Sequence, residues 1–165
     1  MGLFDKLFSK DNVTKYKDTD IVSIANAEMV PASKVNDVMF AQEMMGQTIA
    51  FELKDGVIVA PANGKLEVMY PTGHAFAIRT KDGTGLLVHV GINTVELGGK
   101  GFEILVKQGD TVKAGQQLLH VDLDVIKEAG YDTITMLIVT ETPSEGEKVA
   151  FVDFGDVSQG QKINK

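Results

Sequence analysis

Between Ile21 and Phe154 the apolar residues never run long. They come as Ile21–Ala25, Thr48–Leu53, Gly56–Ala60, Lys65–Tyr70, Ala75–Arg79, Leu86–Val90, Phe102–Val106, Gln117–Asp122, Thr133–Thr140 and Lys148–Phe154, separated by Gly, Pro, Asn or Asp. Runs this short suit half-buried strands closed by turns, not helices that cover a core. The pattern predicts an all-β fold, an antiparallel sandwich or barrel-sandwich hybrid with a few short helices. Val38–Met45 and Leu123–Ala129 are the candidate helices. A chain of 165 residues is long enough for one real core. Faint repeats relate Val22–Val30 to Val57–Leu66, and Val106–Gly115 to Gly155–Gly160, as in a duplicated strand motif.

The first residues read differently. Leu3, Phe4, Leu7 and Phe8 share one helical face, with Lys6 and Lys10 available to anionic lipid. Ser9–Asp20 is polar and charged, as in a linker. Residues 1–18 are therefore expected to form an amphipathic tail and linker, with weak membrane-surface contact through residues 2–10, and 19–165 a single domain.

The run Gly83–Val95 contains the chemistry. His89 sits inside an apolar strand pattern that Gly91 breaks, and an unpaired imidazole there would be costly to desolvate. His74 precedes it, and Arg79-Thr-Lys-Asp-Gly-Thr-Gly85 between them has turn composition. A hairpin with an even loop centred between Lys81 and Asp82 puts both histidines on one face of the sheet; an odd loop puts them on opposite faces. The even register is the expectation here. Alternation then places Leu87, His89 and Gly91 on one face and Leu86, Val88 and Val90 on the other, with Leu87 facing out beside His89. The remaining histidine, His120, reads as structural.

Two facing imidazoles allow metal binding, acid/base work or nucleophilic phosphoryl transfer. Two ligands seldom hold zinc and the chain has no cysteine, so a metal is not expected. The residues alone do not choose among the rest.

The choice comes from a resemblance. Gly83-x-x-Leu-Leu-Val-His-Val-Gly-Ile-x-Thr-Val95, Val59-Ala-Pro-Ala-Asn-Gly64, Thr72-Gly-His74-Ala-Phe and Asp37-Val-Met-Phe40 resemble, in order and spacing, the glucose-type IIA components of the bacterial phosphoenolpyruvate-dependent sugar phosphotransferase system. The resemblance covers roughly Ile21 to Lys165. It implies that His89 carries a phosphoryl group on Nε2, that His74 helps to hold it, and that Thr72 orients the His74 ring. It also implies that the group comes from the histidine phosphocarrier protein and goes to a cysteine of a sugar-specific IIB domain of a IIB/IIC transporter, with no cofactor. Docking would use Val38, Met39, Phe40, Met44, Met45, Tyr70, Leu87 and Val95, with Asp37 as a rim carboxylate. Asn93 stands where the family commonly has an aspartate that would pair with an arginine of the phosphocarrier, and Pro71 where many relatives are polar.

Composition agrees. A net charge of −7 and a pI near 4.9 argue against a nucleic-acid partner and suit a basic protein partner. The absence of cysteine removes a self-contained IIB step. No run approaches the ~18 apolar residues of a membrane span, so the expected location is cytoplasmic, with peripheral contact at the inner face of the membrane. The alternative is a regulatory module for transporters or kinases, whose partner surface phosphorylation would switch.

Overall fold

The computed structural model describes residues 15–165, and the expected amphipathic tail lies outside them. The described residues form eleven strands and two short α-helices: β1 (Ala27–Pro31), α1 (Val38–Ala41), β2 (Gln47–Leu53), β3 (Val57–Val59), β4 (Gly64–Met69), β5 (Ala75–Arg79), β6 (Gly85–Val90), β7 (Phe102–Ile104), β8 (Thr111–Val112), β9 (Gln117–Val121), α2 (Leu123–Glu128), β10 (Thr135–Glu141) and β11 (Gly155–Val157). An eight-stranded sheet runs β11-β1-β2-β10-β6-β5-β4-β8, and a three-stranded sheet runs β3-β9-β7. Every ladder is antiparallel, as the short alternating runs predict.

The main core lies between the sheets. Met29, Phe51, Leu66, Phe76, Ile78, Leu86, Val88, Val90 and Leu137 line it from the large sheet, and Ile58, Leu118 and Leu119 from the region of the small one. The run Met136–Val139 in β10 is buried on both faces, because the large sheet carries a second, smaller core on its other side. Val30, Ala50, Met136 and Ile138 form that floor, Val35, Phe40, Ile92 and Ile134 cover it, and Leu87 packs at its edge.

The structure departs from the predicted strands at both ends of the described domain. Ile21–Ala25 and Lys148–Phe154 are not strands; each holds one isolated bridge, Val22 with Lys162 and Phe151 with Asn164. The first of these segments takes part in a pseudo-twofold arrangement. Val59 N–H donates to the Ile24 carbonyl and Val22 N–H to that of Pro61. Around them, Ala60 exchanges backbone bonds with Gly115 and Gln116, and Ser23 with Gly160 and Gln161. Asn63 Oδ1 accepts from Ala114 N–H, and Asn26 Oδ1 from Gln159 N–H. Their amide nitrogens donate to Asp18 and Asp55. The faint repeats are thus a duplicated hydrogen-bond network with conserved geometry in both copies.

The predicted Val38–Met45 helix is one turn long. It ends at Ala41, and Glu43 then takes a left-handed φ of 54°. Asp37 caps its start by accepting from Met39 N–H at 3.0 Å.

Candidate functional site

The site is built on β6, at the open end of the smaller core. Across β6 the partners are Ala75–His89 and Ala77–Leu87 on one side, and Met136–His89 and Ile138–Leu87 on the other. His89 therefore shares a sheet face with Leu87, Met136 and Ile138, while Leu86, Val88 and Val90 face the main core. The expected alternation is present, but Leu87 is half-buried against the smaller core instead of facing out.

The expected hairpin register is not present. Arg79 pairs with Gly85 and Phe76 with Val88, so the loop has odd length and His74 lies opposite Val90, not His89. In a continuous strand this would put the imidazoles on opposite faces. They meet because His74 precedes the first residue of β5, just after Gly73 at a φ of 76°. A side chain at Gly73 would place its Cβ 2.9 Å from Phe102 Cβ, so the close approach requires glycine as much as the turn does. The two rings stand edge to face, with centroids 5.2 Å apart.

Each ring is held through Nδ1. His89 Nδ1 lies 2.8 Å from the Gly91 carbonyl, which can only accept, so Nδ1 carries the proton and Nε2 keeps its lone pair. Gly91 has a φ of 76°, and a Cβ there would meet Thr94 Cγ2 at 2.5 Å and the Asp132 carbonyl at 2.8 Å. The Thr94 hydroxyl anchors the same turn by donating to the Val90 carbonyl. His74 Nδ1 is 2.5 Å from the Thr72 hydroxyl. Neither Nε2 has a hydrogen-bond partner among the described residues, and no side-chain nitrogen or oxygen there is both sealed from solvent and unpartnered. Both Nε2 atoms therefore reach the surface.

Two aromatic rings extend the pair. Phe40 stands 5.0 Å from His89, and Tyr70 stands 5.1 Å from His74, edge on. Burial lowers the His89 pKa below its ordinary 6.5, against the upward pull of the Gly91 carbonyl and the Asp37 carboxylate. Burial, then the neighbouring His89, lowers that of His74. Both rings are consequently neutral near pH 7, as an imidazole nucleophile must be.

The other predicted site residues flank this ladder. Val38, Met39, Met44 and Met45 are exposed on α1 and the turn after it, Tyr70 is exposed beside His74, and Phe40 is buried in the smaller core. Val95 is exposed on the 3-10 helix Thr94–Leu97, which Asn93 enters with a left-handed φ of 60°. Among the described residues, no group of three or more His, Asp or Glu converges as a metal site would need. Sequence reasoning missed the partner of His89, because a backbone carbonyl has no residue signature. The glycine that breaks the strand was its only trace.

Comparison with known proteins agrees with this architecture. Residues 19–145 match the family model of the phosphoenolpyruvate-dependent sugar phosphotransferase system, EIIA 1. The glucose-specific EIIA component of Staphylococcus epidermidis is 35% identical over 159 residues, covering 96% of this chain and 95% of that protein. The glucose-specific EIICBA component of Staphylococcus carnosus is 44% identical over 136 residues, but this chain spans only 20% of its length. The solved glucose permease IIA from Mycoplasma capricolum superimposes with a TM-score of 0.83 at 33% identity, covering 88% of this chain and 93% of that one. The duplicated antiparallel sandwich, the paired imidazoles on it and these likenesses together place the chain in the EIIA 1 family of the phosphoenolpyruvate-dependent sugar phosphotransferase system.

Proposed function

We propose that this chain is a phosphocarrier of the sugar phosphotransferase system, with His89 as the residue that bears the phosphoryl group. The observation that carries the reading is the His89 Nδ1–H bond to the Gly91 carbonyl at 2.8 Å, which leaves Nε2 as an accessible lone pair. Nε2 attacks phosphorus of the donor's phosphohistidine. The donor's P–N bond breaks, and its electron pair returns to the donor imidazole. The His89 ring becomes cationic, and the Gly91 carbonyl stabilises that charge through Nδ1–H. With the Thr72 hydroxyl donating to Nδ1, His74 presents an Nε2–H to the phosphoryl oxygens. The group then passes to a thiolate of a IIB domain, with the N–P bond breaking as S–P forms.

The donor is the histidine phosphocarrier protein, and the acceptor a sugar-specific IIB/IIC transporter. Val38, Met39, Met44, Met45, Tyr70 and Val95 form the apolar contact surface, Phe40 and Leu87 support it, and Asp37 and Asn93 lie at its polar margin. An apolar rim excludes water from an acid-labile phosphoryl group during both transfers. Residues 19–165 act as one carrier domain in the cytoplasm, and residues 1–18 as the tail. No helix among the described residues is long and apolar enough to cross a membrane.

Intact mass after incubation with phosphoenolpyruvate, enzyme I and the histidine phosphocarrier protein tests the proposal. The expected result is a gain of one acid-labile phosphoryl group that His89→Ala abolishes. Uptake retained by the variant overturns the role of His89, and no uptake by the folded wild type overturns the carrier reading.

A further inference from the structure

The methionines are divided by position. Met29 and Met136 are fully buried and Met69 is nearly so, each inside one of the two cores. Met39, Met44 and Met45 are 48%, 65% and 39% exposed. Those three are the only exposed methionines among the described residues, and all fall on α1 and its following turn. That segment is tied to the body of the fold: Asp37 caps it, Met44 N–H donates to the Met39 carbonyl, and the Phe40 ring packs into the smaller core beside His89. A thioether is apolar, polarizable and readily oxidised, and the order of oxidation follows exposure.

We propose that Met39, Met44 and Met45 form a reversible oxidation site, at which peroxide converts the apolar margin of the histidine pair into a polar one. In each step a sulfur lone pair attacks a peroxide oxygen and the O–O bond breaks. Sulfur is oxidised by two electrons to the sulfoxide, and the peroxide is reduced, leaving as water after proton transfer. Each sulfoxide adds a strong acceptor and a new stereocentre to a side chain that had neither. The imidazole geometry is unaffected, since His89 and His74 are held by Gly91 and Thr72 and not by these side chains. Slower docking of an apolar partner is the consequence, and this part rests on the carrier reading above.

The experiment treats the full chain with hydrogen peroxide and maps oxidation by peptide mass spectrometry. Retention on a phenyl column and the rate of phosphoryl uptake from the histidine phosphocarrier protein are then measured. The triple variant Met39→Leu/Met44→Leu/Met45→Leu is the resistant control, and methionine sulfoxide reductases provide the reversal. Sulfoxide is expected at these three positions before Met29, Met69 or Met136, with reduced column retention and uptake slowed about tenfold or more. Peroxide produces neither effect in the triple variant relative to its own untreated state, and the reductases reverse both in the wild type. Oxidation of the buried methionines first, unchanged retention, or equal loss in the triple variant overturns the proposal. If the untreated protein takes up no phosphoryl group the carrier reading has failed, and the oxidation map with column retention still decides the modification site.

Discussion

The two faces of β6 differ in how they are finished. Leu86, Val88 and Val90 face a core closed by a second sheet, and all three are fully buried. Leu87 and His89 alternate with them on the other face, under a smaller roof of Val35, Phe40 and Ile92 that stops short at the imidazoles. One strand thus supplies core packing through its even-numbered residues and presents an imidazole at the open face through an odd-numbered one. The open face can tolerate an ionisable group because each ring has one nitrogen bonded and the other exposed. His120 shows the contrasting case: it is exposed on the small sheet, and Glu103 Oε1 and Gln117 Oε1 lie 3.1 and 2.8 Å from its two ring nitrogens, so neither nitrogen lacks a polar partner.

The largest test of this division is His89→Gln, which replaces the exposed lone pair by an amide. Phosphoryl uptake is expected to fall to background in the intact-mass assay while the melting temperature changes little; measurable uptake would show that the nucleophile lies elsewhere. His74→Gln comes next. Uptake should persist, because the lone pair of His89 is untouched, whereas transfer to a IIB domain should slow by about 10²–10³-fold, the usual cost of losing one oriented donor. Single-turnover measurements of the two half-reactions separate these outcomes, and equal slowing of both would refute a role specific to the second.

Adjacent leucines sharpen the contrast. Leu86→Ala opens a cavity in the sealed core and should cost about 2–5 kcal/mol of stability by denaturant unfolding, with uptake nearly normal in the surviving folded protein. Leu87→Ala, at the edge of the smaller core, should cost only about 1 kcal/mol, yet slow uptake through weaker docking. The opposite ranking in either assay would mean that the two faces are not functionally distinct.

Acid separates them as well. The folded-state pKa values of His74 and His89 are depressed, so between those values and 6.5 the unfolded chain binds more protons than the folded one. The histidine contribution is fully present above about pH 6.5. It declines as pH falls below that point and levels off below the folded pKa values. Uptake should likewise hold below pH 6.5, because His89 stays neutral, and fail only at more acid pH. Unfolding between pH 5 and 8, repeated with a His74→Gln/His89→Gln double variant, should show a shallower pH dependence in the variant. An unchanged slope would assign the acid loss to carboxylates.

The sequence made the open face legible in part. The alternation of Leu86–Val90 was readable because strand period alone dictates it, and the clustering of apolar residues in Val38–Met45 was visible without coordinates. The register was not, since the sequence does not reveal whether Thr80–Thr84 closes as an odd or an even loop, and the imidazoles meet only because His74 stands outside the ladder. β1, β8 and β11 escaped notice for another reason. β8 and β11 are two and three residues long, and β1 carries Glu28 and Pro31, so their pairing partners define them more than their own pattern does. The duplicated network was faint because much of it runs through backbone atoms, with only Asn26, Asn63, Asp18 and Asp55 as side-chain markers.

The smallest expected effect concerns the margin of the open face. Asn93 is exposed, holds a left-handed φ of 60° and makes no side-chain cap to the helix that follows. Aspartate tolerates that backbone region nearly as well as asparagine, so Asn93→Asp should leave stability unchanged within about 0.5 kcal/mol. It adds a second carboxylate to a rim that already has Asp37, and a basic partner should associate faster by a few-fold at low salt. Raising the ionic strength to about 1 M, where the screening length is near 3 Å, should erase the gain, because the effect is steering and not contact. Stopped-flow association with the histidine phosphocarrier protein reads this directly. A gain that survives high salt would mean a direct ion pair at position 93, and no gain at any salt would remove that position from the docking path and leave Asp37 as the acidic contact.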